Sequence, residues 1–187
     1  MSLLKPALRR ILLLLCCCLP GTGLAAERWL YINASHQNLY VMNGLQVAQR
    51  FSDIAVGRLG VKPVHFAGDT STPAGEYRID AINPSSHYTL FLRLNYPTPA
   101  HAEKARQMGR LSQADYDRIL AAASAGRHPP QDTALGGAIG IHGIGRGSLE
   151  THRKFNWTEG CVALDNDQIR VLAEQVFVGM RVVIEAE

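Results

Sequence analysis

Residues 138–166 read AIGIHGIGRGSLETHRKFNWTEGCVALDN. The segment starts with a short apolar run, Ala138 to His142, that fits a buried strand. It continues through a glycine-rich loop and reaches Gly160–Cys161 just before more small apolar residues. The chain has four cysteines, and the other three, Cys16, Cys17 and Cys18, fall in an amino-terminal segment patterned for export. There Lys5, Arg9 and Arg10 precede the apolar stretch Ile11 to Leu19, and Gly23, Ala25 and Ala26 supply the small residues of a cleavage point. Residues 1–26 are therefore expected to be a signal peptide, with a retained membrane anchor as the competing reading. Exported compartments are oxidising, and structural cysteines there come in pairs. Cys161, left alone, is a buried apolar filler, an intermolecular bridge or a reactive thiol.

Charge narrows the classes of partner. Residues 1–26 contain three of the 19 basic residues and none of the 16 acidic ones, so the formal charge of +3 belongs to that segment. The remainder is near neutral and has no basic field for nucleic acid. Its length suits one domain, residues 27–187, and it holds no apolar run long enough to span a bilayer.

The first half of that domain alternates apolar and polar residues as strands do. Leu30 and Ile32, Leu39 and Val41, and Val47 and Phe51 mark three strands, with Asn43-Gly44 as a hairpin turn between the last two. A loop over 68–75 leads to a strand with Tyr77, Ile79 and Ala81 on one face. Tyr88, Leu90, Leu92 and Leu94 mark another, ended by Pro97. Alternation stops over 100–127. Ala100 to Met108 reads as a short helix, and Ser112 caps a second with Leu111, Tyr116, Ile119, Leu120 and Ala123 at helical spacing. After Cys161, Asp165 or Asn166 caps a helix through about Phe177, and RVVIEA closes the chain as a strand. The expected class is mostly β with helical insertions.

Nucleophilic work requires a thiolate, and at an ordinary pKa only a few per cent of a thiol is ionised near neutral pH. An imidazole nearby can take the proton. Of seven histidines, His142 is the best placed, at the end of a strand and the mouth of a glycine-rich loop. Gly160 allows close backbone approach, and N–H groups around 160–161 could hold an oxyanion. From spacing alone, His142 fits a structural histidine equally well. His142, His152 and Cys161 are also zinc-ligand types, but their spacing matches no helical zinc pair and a fourth ligand is not evident. Trp157 reads as packing, and Arg106, Arg110, Arg118 and Arg127 as a solvated helical face.

With these residues in view, the chain resembles the catalytic domain of the L,D-transpeptidases (YkuD type). That family carries a histidine, a spacer, then Ser or Thr, a residue that is often His, Gly, Cys and an apolar residue. Here fifteen residues separate His142 from Thr158, and Glu159, Gly160, Cys161 and Val162 follow. Asn166 stands where the family commonly keeps an asparagine. GDTSTPAGEYRI (68–79) resembles its Thr-Pro-Gly loop and strand, YINASHQNLYVMNG (31–44) its opening hairpin, and NPSSHYTLFLRLNYP (83–97) its middle strand. The resemblance covers about residues 28–185. Glu159 and Ala163 depart from it, standing in place of a histidine and of an arginine.

The resemblance implies an L,D-transpeptidase-like β-sandwich, with a helical insertion near 100–127 and a helix after the cysteine. It also implies an exported, periplasmic or envelope enzyme of peptidoglycan stem peptides. Cys161 would be the nucleophile and His142 the proton acceptor and donor. Gly143, Thr158, Gly160 and Asn166 would play supporting parts. The donor would be a tetrapeptide and the acceptor an amine, with no metal or organic cofactor. Two alternatives accompany it: hydrolytic use of the same site, as an L,D-carboxypeptidase or amidase, and a non-catalytic cell-wall binding domain. A zinc peptidase is the third.

Overall fold

A computed structural model describes residues 26–186, so all of the expected signal peptide but Ala26 lies outside the described residues. The first strand, β1 (Arg28–Asn33), pairs antiparallel with β2 (Asn38–Asn43), which pairs with β3 (Gln46–Phe51). The turn between β2 and β3 is centred on Gly44-Leu45, one residue later than the Asn-Gly pair suggested. Asn43 pairs with Gln46, and Gly44 has φ +59°. Only the first central position needs positive φ, as in a type II′ turn. The register then shifts between Val41 and Met42. This bulge flips the face of β3, so Phe51 is buried as expected while Val47 points outward and is exposed.

The chain then forms β4 (Val61–Lys62) and β5 (Thr72–Pro73), a small parallel pair, followed by the long strand β6 (Gly75–Asn83) and by β7 (Phe91–Leu94). Tyr77 and Ile79 are buried as the alternation required. A register shift between Ile79 and Ala81 leaves Ala81 only half-buried. Residues 86–89 form a turn rather than the start of β7. Both insertion helices form: α1 (Pro99–Gln107) and α2 (Gln113–Ser124), the latter capped by Ser112 Oγ, which accepts from the Asp115 N–H at 3.1 Å. Ile119 and Ala122 are the buried residues of α2, and Ala123 faces out.

Next come β8 (Gly140–His142), the short helix α3 (Leu149–Lys154), β9 (Val162–Ala163), α4 (Asn166–Ala173) and β10 (Arg181–Glu185). Helix α3 was not anticipated. Its signal was present, because Ser148 Oγ caps the Thr151 N–H and basic residues fill the last turn. Helix α4 is capped by Asp165 in a full capping box with Gln168, and it stops at Ala173, short of Phe177.

The strands make one eight-stranded mixed sheet, β3-β2-β1-β10-β6-β7-β8-β9. The sandwich is therefore built from a single sheet, whose two halves meet at β6. Both halves feed one core, with Leu30, Ile32, Val41 and Val182 from one and Leu92, Leu94, Ile141 and Val162 from the other. The sheet curls until its ends meet. Ala163 in β9 exchanges backbone bonds of 3.0 and 2.7 Å with Ala55, in the segment that leaves β3. Gly140 lets β7 and β8 close up, since a Cβ there would meet Phe91 Cζ at 2.5 Å and the Leu92 carbonyl at 2.6 Å.

His101 sits in the core between Thr98, Tyr77 and the Ala74 carbonyl, and burial lowers its pKa to about 4. The unfolded chain protonates such a histidine near 6.5. Between these values the unfolded state binds the proton that the folded state refuses, so stability is full above about pH 6.5 and is lost as pH falls toward 4. The melting temperature should fall over that window. His101→Gln should flatten the fall by on the order of 1–3 kcal/mol, because each pH unit between the folded and unfolded values corresponds to about 1.4 kcal/mol. An unchanged pH profile in this variant would contradict the assignment.

Candidate active site

Parallel pairing of β8 with β9 sets the site. Ile141 lies opposite Val162 and His142 opposite Ala163. Side chains alternate along each strand, so Ile141 and Val162 enter the core while His142 and Cys161 lie on the other face of the pair. Both line one cavity of about 600 Å³, together with Arg58, His65, Tyr88, Trp157 and Glu159.

The imidazole of His142 is 3 % exposed and fixed on all sides. Its Nδ1–H donates to the Gly143 carbonyl at 2.7 Å, leaving Nε2 with the lone pair. Tyr88 stacks on the ring at 4.3 Å between centroids, Phe91 at 6.0 Å, and Trp157 meets it edge-on at 5.9 Å. Trp157 is itself held by its Nε1–H donating to His152 Nδ1 at 3.2 Å. Burial lowers the His142 pKa to about 4, and its bond to Gly143 works against that shift.

Cys161 enters from a tight turn. Gly160 has φ +136°, and a Cβ there would meet Ile139 Cδ1 at 2.8 Å and the Ser71 carbonyl at 2.9 Å. Thr158 Oγ1 shapes this turn by donating to the Cys161 carbonyl at 2.6 Å and accepting from the Gly160 N–H at 3.2 Å. The Gly160 N–H is thus occupied and is no oxyanion donor, contrary to the expectation for the pair 160–161. Among the described residues nothing accepts from the Cys161 N–H. The sulfur donates to the Ala138 carbonyl at 3.3 Å. Ala138 holds a left-handed φ of +56°, pinned by its N–H donating to Gln131 Oε1 at 2.6 Å. Burial pushes the thiol up to about 11; the Gly140 N–H opposes this, and the charge of Glu159 adds to it.

Both shifts have the same cause: burial disfavours the charged form of each group, and among the described residues neither has a charged partner that offsets its desolvation.

Asn166 holds the loop after His142. It is not among the residues lining the cavity. Its Oδ1 accepts from Thr89 Oγ1 at 2.7 Å and the Gly145 N–H at 2.9 Å, and its Nδ2 donates to the Gly145 carbonyl at 2.7 Å. It therefore ties the loop after His142 to the turn that carries Tyr88. Gly143 supplies the carbonyl under the imidazole, and a Cβ there would strike Asn166 Oδ1 at 2.8 Å. Ala163 is wholly enclosed against Ala55, which leaves no room for an arginine. His152 turns to Trp157, and His142, His152 and Cys161 do not converge; among the described residues no three metal-ligating side chains come together.

Sequence reasoning passed over His65. It lines the cavity, with Nδ1 at 2.7 Å from the Ser71 carbonyl and 2.9 Å from Asp69 Oδ1. Burial acts to raise the Asp69 carboxyl, but hydrogen bonds from Ser71 and Phe66 hold it below its usual range. Nothing in the local sequence separates His65 from the other histidines; its place depends on the 57–72 loop crossing the cleft. Arg58 was passed over for the same reason.

With this geometry established, comparison with known proteins is decisive for the family. The sequence profile of the YkuD L,D-transpeptidase catalytic domain matches residues 27–184. The chain belongs to the YkuD family. The fold of this YkuD domain is similar to that of Bdellovibrio bacteriovorus Bd1075, with a TM-score of 0.57 at 17 % identity, covering 89 % of this chain and 50 % of that one. It is similar also to the helical cell shape determining protein Pgp2 from Campylobacter jejuni, with a TM-score of 0.56 at 19 % identity, covering 87 % and 51 %. Enterococcus faecium L,D-transpeptidase gives a TM-score of 0.50 at 11 % identity, covering 86 % and 50 %. The chain spans about half the length of these proteins. A search of curated proteins gives no match. No helix among the described residues is long and apolar enough to cross a membrane.

The raised thiol pKa has a kinetic signature. Because the thiol pKa is raised, the thiolate fraction should climb about tenfold per pH unit through the neutral range. Alkylation of Cys161 by iodoacetamide should rise in step toward pH 11, without a plateau. A rate that levels off near neutral pH would show a preformed ion pair instead.

Proposed function

We propose that this YkuD domain is a cysteine acyl-transferase of peptidoglycan stem peptides, an L,D-transpeptidase, with Cys161 as nucleophile and His142 as its proton acceptor and donor. The supporting observation is the fixed tautomer of His142. Its Nδ1–H is committed to the Gly143 carbonyl, so Nε2 is free to take a proton, in the cavity that Cys161 also lines.

The steps follow from neutral partners. A tetrapeptide donor lies in the cavity with the carbonyl of its third residue over the sulfur. As the S–C bond forms, the thiol proton passes to His142 Nε2, and the negative charge moves to the carbonyl oxygen. The Cys161 N–H, which meets no other acceptor among the described residues, stabilises that oxygen. Collapse breaks the C–N bond to the terminal D-alanine, and the imidazolium returns its proton to the departing amine. A thioester on Cys161 remains. An amine of a second stem attacks it while His142 accepts the proton, and the thiolate then recovers it. Transferring the proton within the reaction avoids a standing ion pair in a desolvated site. Thr158, Gly160, Gly143 and Asn166 serve as positioning residues. No step calls for a metal or organic cofactor. The amino-terminal pattern supports delivery to the periplasm or cell envelope, where such stems are found.

The purified protein incubated with a disaccharide-tetrapeptide should gain, by intact mass, an acyl adduct less one alanine. Cys161→Ala should give none, and His142→Ala should acylate about 10²–10⁴ times more slowly. Full turnover by the Cys161→Ala protein would refute the proposal. Cross-linked dimer among the products identifies an amine acceptor, and tripeptide alone identifies water.

A further inference from the structure

One guanidinium and one carboxylate line the cavity, and they face each other. Arg58 Nη2 donates to Glu159 Oε1 at 3.0 Å across 101 residues of sequence. Among the described residues no other Lys, Arg, Asp or Glu lines this cavity. The backbone under both is fixed. Gly57 bridges in parallel to Thr158, and the Arg58 N–H donates to the Thr158 carbonyl at 3.0 Å. Gly57 is itself wedged so that a Cβ would lie 2.4 Å from the Thr70 carbonyl. The two charged side chains therefore rise from anchored neighbouring positions, and Glu159 stands two residues from the nucleophile.

The pair is cheap to separate. Its side chains are 52 % and 83 % exposed, and an ion pair so open to water contributes little to stability. Its polarity makes it selective. A lone carboxylate is drawn by Arg58 and repelled by Glu159, and a lone ammonium meets the opposite conflict. A group that carries both charges on one carbon replaces each half of the pair with a partner of the right sign. The enclosed Ala163 offers no guanidinium to compete for the carboxylate.

We propose that Arg58 and Glu159 read a zwitterion: they bind the free amino-acid end of a diamino-dicarboxylic third residue of the stem, its carboxylate on Arg58 and its ammonium on Glu159. The assignment rests on the acyl-transfer reading of this site, and it makes the pair the determinant of donor choice.

Binding to the full chain carrying Cys161→Ala tests the pair apart from turnover. Calorimetry would compare three tetrapeptides that differ only at the third residue: diaminopimelate, diaminopimelate with its free carboxylate amidated, and lysine. Diaminopimelate should bind about tenfold tighter than either. R58Q in the same background should cut its advantage over the amidated form to about threefold or less. R58E/E159R, which keeps an ion pair of inverted polarity, should lose the preference with an unchanged melting temperature. Equal affinity for the three peptides, binding of none, or a preference that survives R58Q overturns the proposal. The adduct on the unsubstituted protein separates the two readings. Selective binding without an adduct defeats acyl transfer and leaves the pair standing, whereas adducts formed at equal rates from all three peptides do the reverse.

Discussion

Two residue pairs between two very short parallel strands hold the site together. Ile141 against Val162 and His142 against Ala163 fix the face, the spacing and the depth of the Cys161 and His142 side chains. A slip of one residue would move Cys161 to the core side and Val162 into the cleft. So short a ladder cannot maintain that register alone. It is held on one side by β7, through Phe91 and Leu92, and on the other by the Ala55–Ala163 bridge. Around it, Asn166 and Thr158 commit their polar groups to the two flanking turns. The residues proposed to carry the chemistry are thus few, while the residues that set their positions come from almost every part of the chain.

The electrostatics of the cleft follow from the same packing. Aromatic rings enclose His142, and Cys161 is half-buried in the cavity wall, so desolvation is the largest influence on both groups. Among the described residues no carboxylate stands behind the imidazole. A backbone carbonyl stands there instead. It orients the ring but brings no full charge.

Much of the domain was legible because its signals are local. Hydrophobic alternation marked β1, β2 and β6, Ser112 and Asp165 marked helix starts, and the His142 to Cys161 spacing with its Thr158-x-Gly-Cys turn marked the two central side chains. The failures have a common cause. Val47 was assigned inward because a bulge between β2 and β3 cannot be read from alternation alone. His65 and Arg58 were missed because they reach the cleft by tertiary folding of a loop with no periodicity. For Asn166 the family position marked a supporting residue but not its partners, Thr89 and Gly145. The direction of the His142 and Cys161 pKa shifts likewise depends on burial, which no motif encodes.

The bulge that turns Val47 outward has a further effect at the rim of the sheet. β3 is one terminal strand, and its irregular outer border is a poor template for strand addition by another molecule. At the opposite terminus, the free border of β9 is already taken by Ala55. Among the described residues neither margin presents a clean row of unpaired backbone groups, so this β-rich chain is protected against edge-to-edge aggregation by its own topology.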